Sequence, residues 1–220
     1  MSEIRKRIEL IRKEIPEYVQ ILGAAKTRSM EDVRAAYEAG LELFGHNYVQ
    51  EAHAMIPNLE IDVKWHLIGH LQRNKARMAV QLFDLVESLD SLRLARELEK
   101  QCTEIRKKMP VLIEVNSGHE ENKTGIIPED VLSLVEWLNG QTYLHLVGLM
   151  TMGPLMGDPE LSRPYYKETR RLYEEIERQN FPNVNLRIMS MGMSNSYKVA
   201  IEEGANLIRL GTYIFGARKR

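Results

Sequence analysis

Short apolar runs alternate with longer amphipathic stretches along the whole chain, and this alternation narrows the fold more than any single motif. The runs fall at 21–25, 43–45, 63–68, 85–89, 111–116, 144–150, 187–191 and 206–210. Each has the length and continuity of a strand buried on both faces. Strands that alternate with helices imply a parallel sheet with right-handed crossovers. Eight such units in 220 residues predict an α/β fold, a single-domain (β/α)8 barrel over residues 1–220. One extra helix, Glu3 to Glu14, precedes the first run. A doubly wound open sheet satisfies the same periodicity and stands as the alternative, because it too buries both faces of its strands.

The helices carry recognisable openings. Ser29 stands three residues before Asp32 in a capping-box arrangement. Pro128-Glu129-Asp130 and Asp158-Pro159-Glu160 place proline in a first helical turn. The segment 153–159, with Gly153, Pro154, Gly157 and Pro159, reads as an irregular loop after the sixth run.

Charge excludes some partners. Thirty basic residues oppose thirty-one acidic ones, for a net charge of −1, so neither nucleic acid nor a membrane surface is indicated. No run of about 18 apolar residues is present to span a bilayer. The opening Met1-Ser2-Glu3-Ile4-Arg5-Lys6-Arg7-Ile8 lacks the apolar centre of a secretory signal, which predicts a cytoplasmic protein. Cys102 is the single cysteine, so neither an intrachain disulfide nor a zinc–thiolate cluster can form. Its place in an amphipathic helix predicts a half-buried, inert thiol. The tail Arg218-Lys219-Arg220 reads as a solvated terminus. With 7% aromatic residues and no evident exposed stripe, a monomer is expected.

Both architectures bind ligands at the carboxyl ends of their strands. That rule gathers Lys26, His46-Asn47, His66 to His70, Asn116-Ser117-Gly118, Met150-Thr151, Ser190 to Ser194 and Arg209 to Thr212 on one rim. Lys26 reads either as a snorkelling surface residue or as an amine for a carbonyl, with its pKa lowered where neighbours exclude water. Gly192 with Ser194, and Gly211 with Thr212, read either as tight turns or as two anion-binding helix openings, with Ser194 capping the first. Arg209, inside Leu207-Ile208-Arg209-Leu210, needs a partner, either a carboxylate inside the barrel or a ligand atom. His46, His66 and His70 are read as hydrogen-bonded polar histidines rather than metal ligands, because Gly69 interrupts any shared helical face. A lysine facing an anion site suits a phosphorylated aldehyde held as a Schiff base.

At these residues the sequence resembles the pyridoxal phosphate homeostasis proteins (the YggS/PROSC family), single-domain relatives of the alanine racemase N-terminal barrel. The matching segments are Ala25-Lys26-Thr27, Phe44-Gly45-His46-Asn47-Tyr48-Val49-Gln50-Glu51 and Trp65-His66-Leu67-Ile68-Gly69-His70-Leu71-Gln72-Arg73-Asn74-Lys75. Further matches run from Val115-Asn116-Ser117-Gly118 to Lys123-Thr124-Gly125, and at Gly148-Leu149-Met150-Thr151-Met152 and Ser190-Met191-Gly192-Met193-Ser194. Ile208-Arg209-Leu210-Gly211-Thr212 and Ile214-Phe215-Gly216-Ala217-Arg218 complete the set.

The resemblance implies that Lys26 carries pyridoxal 5′-phosphate as a Schiff base and that Ser194, Gly211 and Thr212 hold the phosphate. It places Arg209 against the pyridine nitrogen, Asn47 near the ring, and Ser190 among the cofactor-binding residues. The sequence departs from the family at His46, where a glutamate is usual, and at Asn195 and Ser196, where acidic residues are usual. An arginine at the ring nitrogen leaves that nitrogen unprotonated and the ring a weak electron sink. Racemisation also needs acid/base groups on both substrate faces, one of which the racemases take from a second, β-rich domain. Only a few residues follow the last apolar run here. The expectation is therefore a protein that buffers or delivers the cofactor to apoenzymes, with little or no turnover. A pyridoxal-dependent amino-acid racemase is the alternative, and a cofactor-free aldolase-type barrel using Lys26 is a second.

Overall fold

The computed structural model describes residues 2–154 and 157–217. Leu155 and Met156 of the irregular loop, and the basic tail from Arg218, lie outside the described residues. Eight parallel strands follow one another around a closed barrel. They are β1 (Gln20–Ala24), β2 (Leu43–His46), β3 (Lys64–Leu67), β4 (Leu85–Leu89), β5 (Met109–Val115), β6 (Leu144–Thr151), β7 (Ile188–Ser190) and β8 (Leu207–Leu210). The closing pair is β1 with β8, in the register Ile21↔Ile208 and Leu22↔Arg209, which rules out the open sheet. β5 begins two residues before the apolar run suggests and takes in Pro110. A proline lacks a ladder donor but is tolerated near the start of a strand.

The helices are α1 (Glu3–Glu14), α2 (Met30–Glu38), α3 (Val49–Met55), α4 (Ala76–Leu82), α5 (Leu92–Ile105), α6 (Val131–Asn139), α7 (Arg163–Gln179), α8 (Tyr197–Glu202) and α9 (Thr212–Phe215). The additional first helix forms where the sequence places it, opened by Ser2, whose hydroxyl accepts from the Arg5 N–H. Ser29 likewise accepts from the Asp32 N–H at 3.2 Å. The two proline openings become single 3-10 turns, Pro128–Asp130 and Pro159–Ser162, and the α-helices start after them.

Alternation along the strands sorts side chains into two environments. Outward residues such as Phe44, Trp65, Val86 and Ile113 pack against the helices in one large core. Inward residues form two small luminal clusters, Leu22 with Ala24, Ile68 and Leu207, and Leu85 with Leu112, Val147 and Met150. Cys102 lies on the inner face of α5 with Leu94, Ala95 and Leu98, and is fully buried rather than half-buried. Burial, helped by the charge of Glu99, pushes its thiol up to about 11.

Candidate functional site

A cavity of about 330 Å³ opens at the carboxyl ends of the strands. Ala24, Lys26 and Arg28 reach it from the end of β1, Asn47 from β2, Ile68 from β3 and Met152 from β6. Met193, Ser194 and Asn195 come from the segment after β7, and Arg209, Gly211 and Thr212 from β8. Its volume falls in the usual range for small-molecule sites. Six of the residues expected to bind cofactor therefore share one cavity: Lys26, Asn47, Ser194, Arg209, Gly211 and Thr212. A larger cavity of about 930 Å³ lies at the other mouth of the barrel, where Gln20, Leu43, Lys64 and Leu85 begin or open their strands. None of the residues expected to bind cofactor lines it, though His66, which the sequence groups with the rim, does, and barrel chemistry is built at the opposite face.

Local backbone shapes aim these groups. Thr27, immediately after Lys26, has φ of 59°, a left-handed conformation that is costly for a β-branched residue. The turn sends Arg28 across to α9, where it donates to the Gly216 carbonyl at 2.7 Å and stands 5.5 Å from the Phe215 ring centre. Gly69 lets the chain after β3 press on Asn47, since a Cβ there would lie 2.5 Å from the Asn47 carbonyl oxygen. The Asn47 Oδ1 atom is buried without a hydrogen-bond partner in the protein. Gly192 has φ of +89°, and a Cβ on it would meet the Ala200 Cβ at 2.6 Å. At Gly211 an added Cβ meets no protein atom closer than 3.6 Å, so packing alone does not demand a glycine there.

Ser194 does not cap α8, contrary to the sequence reading. α8 starts at Tyr197 after Ser196, and Ser194 Oγ instead accepts from the Tyr213 N–H at 3.2 Å. One hydroxyl thereby ties the segment after β7 to α9.

Behind the cavity runs a buried polar chain. Arg209 donates from Nη1 to the Ser190 carbonyl at 2.8 Å and to Ser190 Oγ at 2.5 Å, and from Nη2 to the Thr151 carbonyl at 2.8 Å. Ser190 Oγ donates to Glu87 Oε2 at 2.5 Å, and Glu87 Oε1 meets His66 Nδ1 at 2.7 Å. Ser190 is fully buried and absent from the cavity lining, where it holds Arg209 from behind. Burial pushes the Glu87 carboxyl up, but hydrogen bonds from His66 and Ser190 and the charges of His66 and Arg209 hold it below the usual range. Glu114, also luminal in β5, is pushed up by burial despite a hydrogen bond from Thr124 Oγ1 at 2.6 Å. Arg209 has the carboxylate neighbour its burial calls for, Glu87 Oε2 at 3.7 Å, and it also lines the cavity.

Sequence reasoning missed Glu87, Glu114 and Arg28. The available signal was a carboxylate centred in an apolar run, which must be paired or neutral when buried. The three histidines differ. His66 pairs with Glu87, and His70 with Asp90 at 2.9 Å. His46 is fully buried against Trp65 with neither ring nitrogen hydrogen-bonded, which corrects the expectation of satisfied histidines. Burial holds its pKa down at about 4. Among the described residues no three His, Cys, Asp or Glu gather at metal-binding range, and no helix is long and apolar enough to cross a membrane.

The profile of the alanine racemase N-terminal domain family matches residues 1–219. A pyridoxal phosphate homeostasis protein of Aquifex aeolicus is 42% identical over 91% of this chain and 87% of its own length. Another, from Vibrio alginolyticus, is 35% identical over 99% of both chains. The chain belongs to the pyridoxal phosphate homeostasis protein family. Among solved structures, PipY of Synechococcus elongatus with pyridoxal phosphate bound superimposes with a TM-score of 0.89, at 33% identity over 97% of this chain and all of that one. An alanine racemase of Clostridium difficile shares the fold with a TM-score of 0.83 at 16% identity, and this chain covers 56% of it.

Proposed function

We propose that the protein binds pyridoxal 5′-phosphate covalently and reversibly through Lys26 and serves to buffer and deliver it to apoenzymes in the cytoplasm, as a monomer with little or no turnover. The observation that carries this reading is convergence. Lys26, the Arg209 cation and the expected phosphate ligands Ser194, Gly211 and Thr212 surround one small cavity although most of the chain separates Lys26 from the others. Family membership and the cofactor-bound PipY relative support it.

The residues present fit the cofactor. The orphaned Asn47 Oδ1 beside the cavity offers an acceptor, and the spare room at Gly211 leaves space for a ligand. When bound, the cofactor supplies an aldehyde for an amine and a pyridine ring able to withdraw electrons. Lys26 is the residue that would hold the aldehyde carbon. The Ser194 and Thr212 hydroxyls, with the backbone at Gly211, would take the phosphate. Arg209, held on its far side by Ser190 and Thr151, would face the ring nitrogen and keep its own proton, since a guanidinium does not release it near neutrality.

The same cavity is poorly equipped for turnover. Among the described residues that line it there is no carboxylate, imidazole or phenol. Glu87 and Glu114 stand in the lumen but do not line it. An amino-acid racemase needs proton donors and acceptors on both faces of its substrate. The test is α-proton exchange of D- and L-amino acids in deuterated buffer with cofactor-loaded protein. The carrier reading expects no exchange at enzyme-like rates, and exchange at about 1 per second or faster would replace it with a pyridoxal enzyme, a racemase if the configuration also inverts.

A further inference from the structure

Glu14 closes α1 and meets both segments that carry the expected phosphate ligands. Tyr197 Oη donates to Glu14 Oε2 at 2.6 Å, and Tyr213 Oη to Oε1 at 3.4 Å. The Lys198 ammonium stands 3.2 Å from Oε2. Tyr197 is the first residue of α8 and Tyr213 the second of α9. Their rings meet edge to face at 5.8 Å. On the cavity side the same two segments are joined by the Tyr213 N–H bond to Ser194 Oγ. Arg7, two turns earlier on α1, donates to the Ile214 carbonyl at 3.4 Å.

One carboxylate outside the barrel thus clasps the residues that follow Ser194 on one side and Thr212 on the other. Neither α8, with six residues, nor α9, with four, is long enough to hold its own orientation. Hydrogen bonds from Tyr197 and Lys198 hold the Glu14 carboxyl below its usual range, so it is an ionised acceptor near neutrality. Burial and the bond to Glu14 push the Tyr197 phenol far up, so it remains a donor. Charge-assisted bonds of this kind are about twice as strong as neutral ones.

We propose that Glu14 is a positioning residue for the phosphate end of the cofactor site: through Tyr197 and Tyr213 it sets the spacing of the Ser194 and Gly211–Thr212 segments, and with it how tightly a phosphate monoester is held. The extra first helix is then part of the binding apparatus and a point at which release is tuned. This rests on the function proposed above.

The experiment compares pyridoxal 5′-phosphate with unphosphorylated pyridoxal, both binding to the full chain, in the natural protein and in Glu14→Gln. Absorbance titration gives the affinities, and thermal melting without ligand reports the fold. Glu14→Gln is expected to weaken the phosphorylated vitamer about five- to tenfold and pyridoxal less than twofold. Tyr213→Phe, which removes one hydroxyl and keeps the ring, is expected to show the same selectivity at about two- to threefold, and it decides the matter if Glu14→Gln does not fold. Equal losses for both vitamers, or unchanged affinity for the phosphorylated one, would overturn the positioning role while leaving the function proposed above intact. A natural protein that binds neither vitamer would overturn both.

Discussion

Glu87→Gln tests the account of the lumen most sharply, because it cancels one buried charge while nearly conserving volume. Glu87 is fully buried, with His66 Nδ1 at 2.7 Å, Ser190 Oγ at 2.5 Å and Arg209 Nη1 at 3.7 Å. In the variant Arg209, 5% exposed, keeps only the neutral acceptors of Ser190 and Thr151. Breaking a buried ion pair from one side costs about 3–5 kcal/mol, and the surviving hydrogen bonds on Arg209 argue for the lower end, about 3 kcal/mol. At about 2–4 °C per kcal/mol for a chain of this size, the melting temperature without cofactor should fall by roughly 6–12 °C. Bound pyridoxal 5′-phosphate brings negative charge into the same cavity, so the loaded protein should lose clearly less. Thermal melts with and without saturating cofactor measure both numbers. A fall under about 2 °C, or equal falls in the two states, would show that Glu87 does not balance Arg209.

Further outcomes follow from other buried groups. His46 titrates near 4 when folded against 6.5 in an open chain, so between those values the unfolded state binds more protons. Stability should therefore drop by about 3 kcal/mol as pH falls through that window, with no further loss from this group below it. His46→Leu should flatten that part of the stability profile, and an unchanged slope would assign the acid sensitivity elsewhere. Gly192→Ala forces a side chain into φ of +89° and a 2.6 Å approach to Ala200, beside Ser194. A loss of at least about 1–2 kcal/mol in chemical denaturation, with weaker cofactor binding, is expected, and wild-type values for both would contradict the packing argument.

Much of this architecture is readable in the sequence because a barrel strand, buried on both faces, must be apolar along its length. All eight runs became strands, and α1 appeared with the boundaries its amphipathic period suggests. The rim was readable for a different reason: any parallel sheet of this type exposes the ends of its strands to ligand, so Lys26 and Arg209 could be grouped before their contacts were known. Closure was expected from the count of eight units, but periodicity alone also fits an open sheet, since closure depends on one pairing, β1 with β8, between opposite ends of the chain. The Glu87–Ser190 bond joins residues 103 positions apart, and local pattern carries no trace of it. Arg28 enters the site only because Thr27 adopts a left-handed turn, which a threonine does not announce. Ser194 reads as a helix cap because the pattern suggests a helix opening at Asn195, two residues before α8 starts.

The most direct measurement is a peptide map after borohydride reduction of protein incubated with excess pyridoxal 5′-phosphate. A single phosphopyridoxyl adduct on the peptide containing Lys26, absent from Lys26→Ala together with the near-visible absorption band, is the predicted result. An adduct confined to another lysine, or protein recovered with no adduct at all, would contradict the account.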